Sequence, residues 1–454
     1  MIERLTVTGA APTGAGIASL NGLRVFVPGA LPGDTVEAEV TPPAKGARSA
    51  VARVIRITES RWRAADVCPA LEAGCGGCPL GLLNYEGQKA VKTALLADAL
   101  KEAGVTPGAF DPIIGADDVL TVFRNKAVLY PVKTESCWSF GMFAAGTHCV
   151  VPEAACCPQV HPWMHEAARL TAEALNGTSL SPYDETTHTG DVRTLQLREG
   201  FRGEGNETEK LVTLTVREAT PEAEAAAKAV AERLAALSVN GVTLCVHPER
   251  GNAVLGRDIR TVAGTDSITA DIDGLSFSVR PETFLQVNTP QTIRLYNKAL
   301  EWAAPTEDDV FLDLYCGVGT MTLMGSRLAK AAVGIDIVAA SIERAKNNAA
   351  ENGVTNAEFY AGAVEDVLPG LIAKGLRPEA AILDPAFKGL DETVPAMLTG
   401  LPLKRFAYVS CNPKTFARDA ARFQALGWTL ERVVPVDLFP GALHVETVGR
   451  FVRR

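Results

Sequence analysis

The stretch Val310-Phe-Leu-Asp-Leu-Tyr-Cys-Gly-Val-Gly-Thr320 decides the fold. A buried strand runs straight into a Gly-x-Gly turn, and Thr320 to Leu328 then carries apolar residues at helical spacing. Glycines at such a turn let the backbone approach a ligand closely. The same rhythm continues toward the C-terminus: AAVGID, a helix from Ala339 to Glu351 stopped by Asn352-Gly353, then AAILD, RFAYVS and a helix from Pro413 to Leu426. Strand, helix and strand in repetition predict an α/β, doubly wound, mainly parallel sheet of the Rossmann-like kind, with ligands at the carboxyl ends of the strands. Asp336 ends the next strand, about 20 residues past the turn, where a carboxylate can take both hydroxyls of a ribose. Acid and turn together favour an adenosyl or nucleotide ligand. The third glycine of a dinucleotide fingerprint is missing, so no pyrophosphate is indicated and S-adenosylmethionine fits better than NAD.

Three further strand ends carry reactive groups. Ser410-Cys411-Asn412-Pro413 follows the strand RFAYVS, so a thiol is presented at the sheet edge by a turn that Pro413 stiffens and starts as a helix. The backbone N–H groups and dipole of that helix terminus are expected to lower the thiol pKa. Asp384-Pro385 ends the preceding strand in the same way. Glu446 lies in Leu443-His-Val-Glu-Thr-Val448, among apolar neighbours, as either an inward partner for chemistry or an exposed charge.

Outward from this unit, residues 1–60 read as short alternating strands broken by turn chemistry, the pattern of a small closed OB-like barrel. Arg48, Arg53, Arg56, Arg61 and Arg63 make a local basic stretch, either a nucleic-acid surface or a solvated strand face. Residues 61–270 read as a central α+β region and 271–454 as the Rossmann-like unit. The central region opens on a Pro/Gly/Cys loop with Cys68, Cys75 and Cys78, and Cys156 and Cys157 follow far downstream. Four thiolates suit zinc or an iron–sulfur cluster, and three in one loop plus one from afar lean to [4Fe–4S].

Composition bounds the alternatives. At 454 residues and roughly 150 per domain, about three domains are expected. Lys and Arg number 44 against 53 Asp and Glu, a net charge of −9, so the chain cannot coat a nucleic acid by bulk charge and needs local basic patches. The opening MIERLTVTGA has no secretion pattern, and no uncharged apolar run reaches about 18 residues. With ten cysteines, a cytoplasmic, reducing location is the expectation, with no membrane partner.

Taken in order, CGGC followed by Leu83-Asn-Tyr85 and Gln88-Lys89, Phe123-Arg-Asn-Lys126, Phe284-Leu-Gln-Val-Asn288, DLYCGVG, LDPAFKGL, YVSCNP with Ala417-Arg-Asp419, and Asp437-Leu-Phe-Pro440 before HVETV are highly specific. The chain resembles the RNA uracil-C5 methyltransferases over nearly its whole length, in particular the ribosomal-RNA branch with a TRAM barrel and a [4Fe–4S] cluster. The resemblance implies Cys411 as nucleophile and Glu446 as base. It implies Gln286, Tyr315, Asp336 and Asp384, with Gly317 of the turn, as contacts for S-adenosylmethionine. For the cluster it implies Cys68, Cys75, Cys78 and, counting from His148 and to Gln159, Cys156, with Cys157 as the alternative. The implied partner is RNA, ribosomal before transfer RNA, acted on by a monomer. Two positions depart from the family pattern: Asp384-Pro-Ala-Phe387 stands where DPPR is usual, and Ala363 where an acid or amide is usual. A non-catalytic RNA-binding factor and an electron-transfer protein are the rival readings; the strand-end thiol and acid weigh against the first, and the lack of a flavin or nicotinamide fingerprint against the second.

Overall fold

The computed structural model describes the chain except residues 12–13, 43–47, 119, 136, 203–206, 252 and 454, and the side chains of 202 and 207. Five strands, β1 (Ile2–Ala10), β2 (Gly16–Leu20), β3 (Leu23–Val27), β4 (Asp34–Thr41) and β5 (Ser49–Ser60), close into a barrel in the order β1-β2-β3-β5-β4. Period-two alternation builds it: Leu5, Val7, Val25, Val27, Val36 and Ala38 fill the interior while Arg4, Arg24 and Glu39 face out. On the outer face three of the five arginines of the basic stretch are ion-paired, as on a solvated strand face. The β4–β5 register sets Arg56 opposite Glu37 and Arg53 opposite Glu39, with contacts of 2.7 and 2.6 Å, and Arg63 reaches Asp34 at 2.8 Å. Exposed pairs of this kind contribute little to stability, but each guanidinium must release a carboxylate before it can take a phosphate. Arg48 and Arg61 form no ion pair among the described residues.

After α1 (Pro69–Glu72), α2 (Tyr85–Glu102) and β6 (Ala109–Phe110), a mixed seven-stranded sheet is built from β7 (Lys126–Lys133), β8 (Trp138–Phe143), β9 (Val150–Val151), β10 (Val192–Arg202), β11 (Glu207–Val216), β12 (Gly241–Val246) and β13 (Asp258–Gly264). Its order is β13-β12-β11-β10-β7-β8-β9, and the Ala-rich helices α3 (Pro162–Leu175) and α4 (Pro221–Leu234) pack on it through Ala167, Leu175, Ala227 and Val230. A hairpin, β14 (Ile268–Ile272) and β15 (Leu275–Val279), leads into the last unit.

That unit comprises α5 (Thr289–Ala303), β16 (Val310–Leu314), α6 (Thr320–Ser326), β17 (Ala331–Asp336), α7 (Ala339–Glu351), β18 (Ala357–Ala361), α8 (Val364–Ala373), β19 (Ala380–Leu383), α9 (Val394–Thr399), β20 (Arg405–Ser410), α10 (Pro413–Ala425), β21 (Trp428–Val436) and β22 (Glu446–Arg453). The eight-stranded sheet runs β18-β17-β16-β19-β20-β22-β21-β6, parallel from β18 to β20, with β22 antiparallel to β20 and β21. Apolar clusters cover both faces, as buried parallel strands require. The order in which successive strands are laid down reverses between β16 and β19, which opens a crevice at their carboxyl ends.

The division at residue 270 is not continuous in space. Leu96, Ala99 and Leu100 of α2 share a cluster with Leu314, Leu383, Phe416 and Phe423, and β6 pairs with β21 at the sheet edge. A segment inside 61–270 thus completes the C-terminal unit by covering an edge strand that would otherwise stand open.

Candidate active site

The Gly-x-Gly turn is built as the sequence predicts. Gly317 and Gly319 have φ of +54° and +86°, and a Cβ on Gly319 would stand 2.9 Å from the Phe359 ring, so the position takes no larger residue. Tyr315 enters the turn at φ +69°, an uncommon conformation for a non-glycine residue at the mouth of a site. Across the crevice Asp336 accepts the N–H of Gly317 at 2.9 Å on one oxygen and that of Val338 at 2.8 Å on the other. Each oxygen keeps a lone pair for a ligand hydroxyl. Ile337 beside it is 69 % exposed, an apolar lip against which a flat ring can lie.

Sequence reasoning passed over Asp313, although a carboxylate inside an apolar strand two residues before the turn was the signal. Asp313 is fully buried; Oδ2 accepts from Thr322 at 2.6 Å and Oδ1 has no partner. Burial, with Asp384 and Asp336 adding repulsion, raises its carboxyl to about 7. A buried, unpaired acceptor at the head of this crevice is what a ligand ammonium group would satisfy.

Strand register brings the reactive groups together. Ser410 of β20 pairs with Thr447 of β22, so Cys411, one step beyond, and Glu446, one step before, stand across the same end of the ladder. Leu383 of β19 aligns with Tyr408 of β20, which brings Asp384 to that edge as well. Cys411 is half-buried and Glu446 is buried. Contrary to the lowering expected from the helix terminus, the Cys411 thiol is pushed up to about 11 by burial and by the Glu446 and Asp384 carboxyls. Glu446 is itself raised to about 8, by burial and by Asp384, against the opposing charge of Lys92, and burial raises Asp384 to about 7. Clustered like charges out of water, not the helix dipole, dominate here.

Linkage gives these shifts a measurable consequence. Carboxyls that bind protons more tightly folded than unfolded stabilise the fold below the unfolded pKa, and the contribution is lost as pH rises through about 7 to 8. Between pH 5 and 8 the ligand-free protein is therefore expected to lose thermal stability, and Glu446→Gln, which cannot ionise, to flatten that loss. Parallel melting curves for the two proteins would count against the burial of Glu446.

The loop that leads to Glu446 is held both by α5 and by residues outside the unit. Lys92 and Asp437, both fully buried, form an ion pair, and Lys92 also donates to the Phe439 carbonyl. Gln291 binds the Asp437 carbonyl at 2.8 Å, Asn288 that of Leu438 at 3.0 Å and Gln159 that of Pro440 at 2.9 Å, while Gln88 accepts from the Gly441 N–H at 2.7 Å. Gln286 enters the same corner, its carbonyl accepting from Asn125 at 2.9 Å. Phe284, two residues earlier, is 71 % exposed.

Cys68, Cys75 and Cys78 line one cavity of about 540 Å³ with Leu71, Met142 and Met164. The fourth thiol in its wall is Cys157, not Cys156. A 3-10 turn, Pro152–Cys156, leaves Cys156 exposed and rotates Cys157 inward, where its carbonyl meets His165 at 2.9 Å. Burial, with Cys157, Cys75 and Cys68 adding repulsion, raises Cys78 to about 11, while Arg124 opposes. No group of three or more His, Cys, Asp or Glu stands at metal-binding geometry among the described residues. The donor chemistry and the room in the cavity nevertheless fit a four-thiolate group.

An α/β sheet with a Gly-x-Gly turn, a ribose-ready acid at the next strand end and a crevice at the reversal point defines a class I S-adenosylmethionine-dependent methyltransferase. Residues 208–454 match the family described as tRNA (uracil-5-)-methyltransferase. An RNA methyltransferase of Gloeobacter violaceus is 36 % identical over 454 residues, covering 98 % of this chain and 95 % of its own. One of Clostridium tetani is 32 % identical over 445 residues, covering 98 % and 95 %. The tRNA (uracil-54, C5)-methyltransferase of Pyrococcus abyssi, solved with S-adenosyl-L-homocysteine, superposes with a TM-score of 0.74 at 23 % identity over 99 % of this chain and 100 % of that one, a likeness of fold. The chain belongs to the tRNA (uracil-5-)-methyltransferase family, as an S-adenosylmethionine-dependent RNA uracil-C5 methyltransferase. No helix among the described residues is long and apolar enough to cross a membrane.

Proposed function

We propose that the chain methylates carbon 5 of a ribosomal-RNA uridine through a covalent adduct between Cys411 and carbon 6. The observation that carries this reading is the Ser410–Thr447 pairing, which sets a thiol and a buried carboxyl across one strand end beside Asp384. Carbon 5 of uracil is too weak a nucleophile to be methylated directly. Cys411 releases its thiol proton to solvent and adds through sulfur to carbon 6, and the carbon 5–carbon 6 electron pair moves into an enolate that makes carbon 5 nucleophilic. S-adenosylmethionine supplies the methyl group that carbon 5 takes and leaves as S-adenosylhomocysteine, and its sulfonium charge offsets the carboxyls that hold the thiol protonated. Glu446 then takes the proton from carbon 5, the double bond re-forms, and Cys411 leaves as thiolate. Asp336 holds the ribose hydroxyls, Asp313 Oδ1 the ammonium group, and Gln286, Tyr315, Gly317 and Asp384 complete the cradle. A uracil must be unpaired or flipped to reach this depth.

Because Glu446 acts as a carboxylate after methyl transfer, elimination of the methylated Cys411 adduct should quicken as pH rises through about 8. A profile flat from pH 6 to 9 would remove Glu446 as the base.

The barrel and the thiol cavity favour ribosomal RNA by resemblance. A transfer-RNA uridine is the second reading, supported by the family description and by the substrate of the Pyrococcus abyssi neighbour. Mapping 5-methyluridine in both RNAs from a strain lacking the gene decides between them: loss from ribosomal RNA alone supports the first, and loss from transfer RNA alone overturns it.

The cavity thiols Cys68, Cys75, Cys78 and Cys157 would hold a [4Fe–4S] cluster as a structural staple that ties the cysteine loop to the turn before Cys157. Protein purified without oxygen should be brown with about four irons per chain. Cys157→Ser should lose the colour and Cys156→Ser keep it. Stoichiometric zinc with no visible absorbance would refute the cluster, and the reverse pattern of variants would return the ligand role to Cys156.

A further inference from the structure

The rim of the crevice carries an aromatic ring for which the reaction as described has no use. Phe387 follows Asp384 by three residues and is 60 % exposed. Its loop is fixed rather than loose. The Phe387 carbonyl accepts from Asn412 Nδ2 at 3.1 Å and Thr415 Oγ1 at 3.4 Å, the Lys388 carbonyl from Arg418 at 3.0 Å, and Leu390 N–H donates to buried Asp419 at 3.0 Å. Asn412 is the residue next to Cys411, so the loop is bolted to the turn that presents the thiol. With these carbonyls engaged on the protein side, Ala386, Phe387 and Lys388 are left exposed. Lys414, at the start of α10, is exposed too, and neither it nor Lys388 forms an ion pair among the described residues. Asp391, whose carboxyl Lys388 helps to lower, is already bonded to the backbone and hydroxyl of Thr393.

We propose that Phe387, Lys388 and Lys414 form a binding subsite for the nucleotide adjacent to the target uridine, the ring stacking on its base and the lysines taking its phosphates. This rests on reading the crevice as a uridine-methylating site. An exposed ring on a loop anchored through its backbone, flanked by lysines in no ion pair among the described residues, matches single-stranded nucleic acid, because every base offers a π-face and every linkage a negative charge. The contrast within the molecule supports the choice: the barrel arginines Arg53 and Arg56 are tied to Glu39 and Glu37, whereas these lysines form no ion pair among the described residues.

The test is fluorescence anisotropy with a labelled single-stranded RNA decamer holding one uridine among adenosines, with S-adenosylmethionine affinity measured calorimetrically to confirm folding. Phe387→Ala should raise the RNA Kd about 5- to 150-fold and leave S-adenosylmethionine affinity unchanged. Phe387→Trp, which keeps a stacking face, should restore binding. Lys388→Ala with Lys414→Ala should flatten the log–log salt dependence by roughly 1.4, two single-strand phosphates at about 0.7 each. An unchanged Kd in Phe387→Ala, or a loss that Phe387→Trp does not restore, overturns the stacking contact and leaves the patch to a protein partner. An unchanged salt slope overturns the phosphate contacts. Binding is read without methyl transfer, so a wild-type protein that binds through Phe387 yet methylates nothing would refute the assigned reaction and not this subsite.

Discussion

Cys411→Ala is expected to lower methyl transfer by roughly four orders of magnitude or more, the scale seen when a nucleophile is removed from a covalent mechanism, while S-adenosylmethionine binds as before. The separation follows from the strand ends. The ligand contacts argued for the methyl donor lie at the ends of β16, β17 and β19 and, for Gln286, before α5, whereas Cys411 projects from the turn after β20. Removing one sulfur atom from a half-buried position leaves Asp313, Asp336 and the Gly317 turn untouched. Single-turnover transfer together with calorimetric binding checks both halves. Retained turnover would rule out addition to carbon 6, and lost binding would show that Cys411 supports the crevice rather than reacting in it.

Glu446→Gln should produce a different failure. Addition and methylation need the thiol, whereas elimination needs a base for the carbon 5 proton, so this variant should methylate once and then stall with RNA attached to Cys411. Gln preserves the volume of a side chain that is 3 % exposed, and the pairing of Thr447 with Ser410 keeps it in place. A slowly migrating protein–RNA band on denaturing gels, absent from the Cys411→Ala, Glu446→Gln double variant, is the expected result. No band, with normal turnover, would move the base to Asp384, the other carboxyl raised to near neutrality at that edge.

How far the sequence discloses this site depends on range. Strand ends were legible because buried parallel strands are written as apolar runs: β16, β17, β19 and β20 each announce themselves, and with them Asp336, Asp384 and Cys411. Glu446 stood out as an acid among apolar neighbours, and the same argument applied to Asp313 would have found the unpaired buried oxygen. Interactions across distant segments were not legible. Whether Arg53 and Arg56 face a nucleic acid or a solvated strand neighbour was open because their carboxylates lie 14 and 19 residues away, and only the β4–β5 register opposes them. The buried Lys92–Asp437 pair joins residues 345 apart. Two-residue β6 is too short for any periodicity. Cys156 and Cys157 are adjacent, and which one turns inward depends on a single 3-10 turn that spacing cannot resolve. The thiol pKa departs from expectation because a helix terminus is visible in sequence, whereas the burial that chiefly outweighs it, and the two carboxyls that add to it, come from other strands.

The central claim, that Cys411 and Glu446 carry out methyl transfer at carbon 5 of an RNA uridine, is tested most directly by tritium release from RNA labelled at carbon 5 of uridine. Tritium should enter water only when S-adenosylmethionine is added, at the rate of methyl incorporation, and not with Cys411→Ala. Methyl incorporation into RNA without tritium release would place the chemistry at another atom and contradict the account.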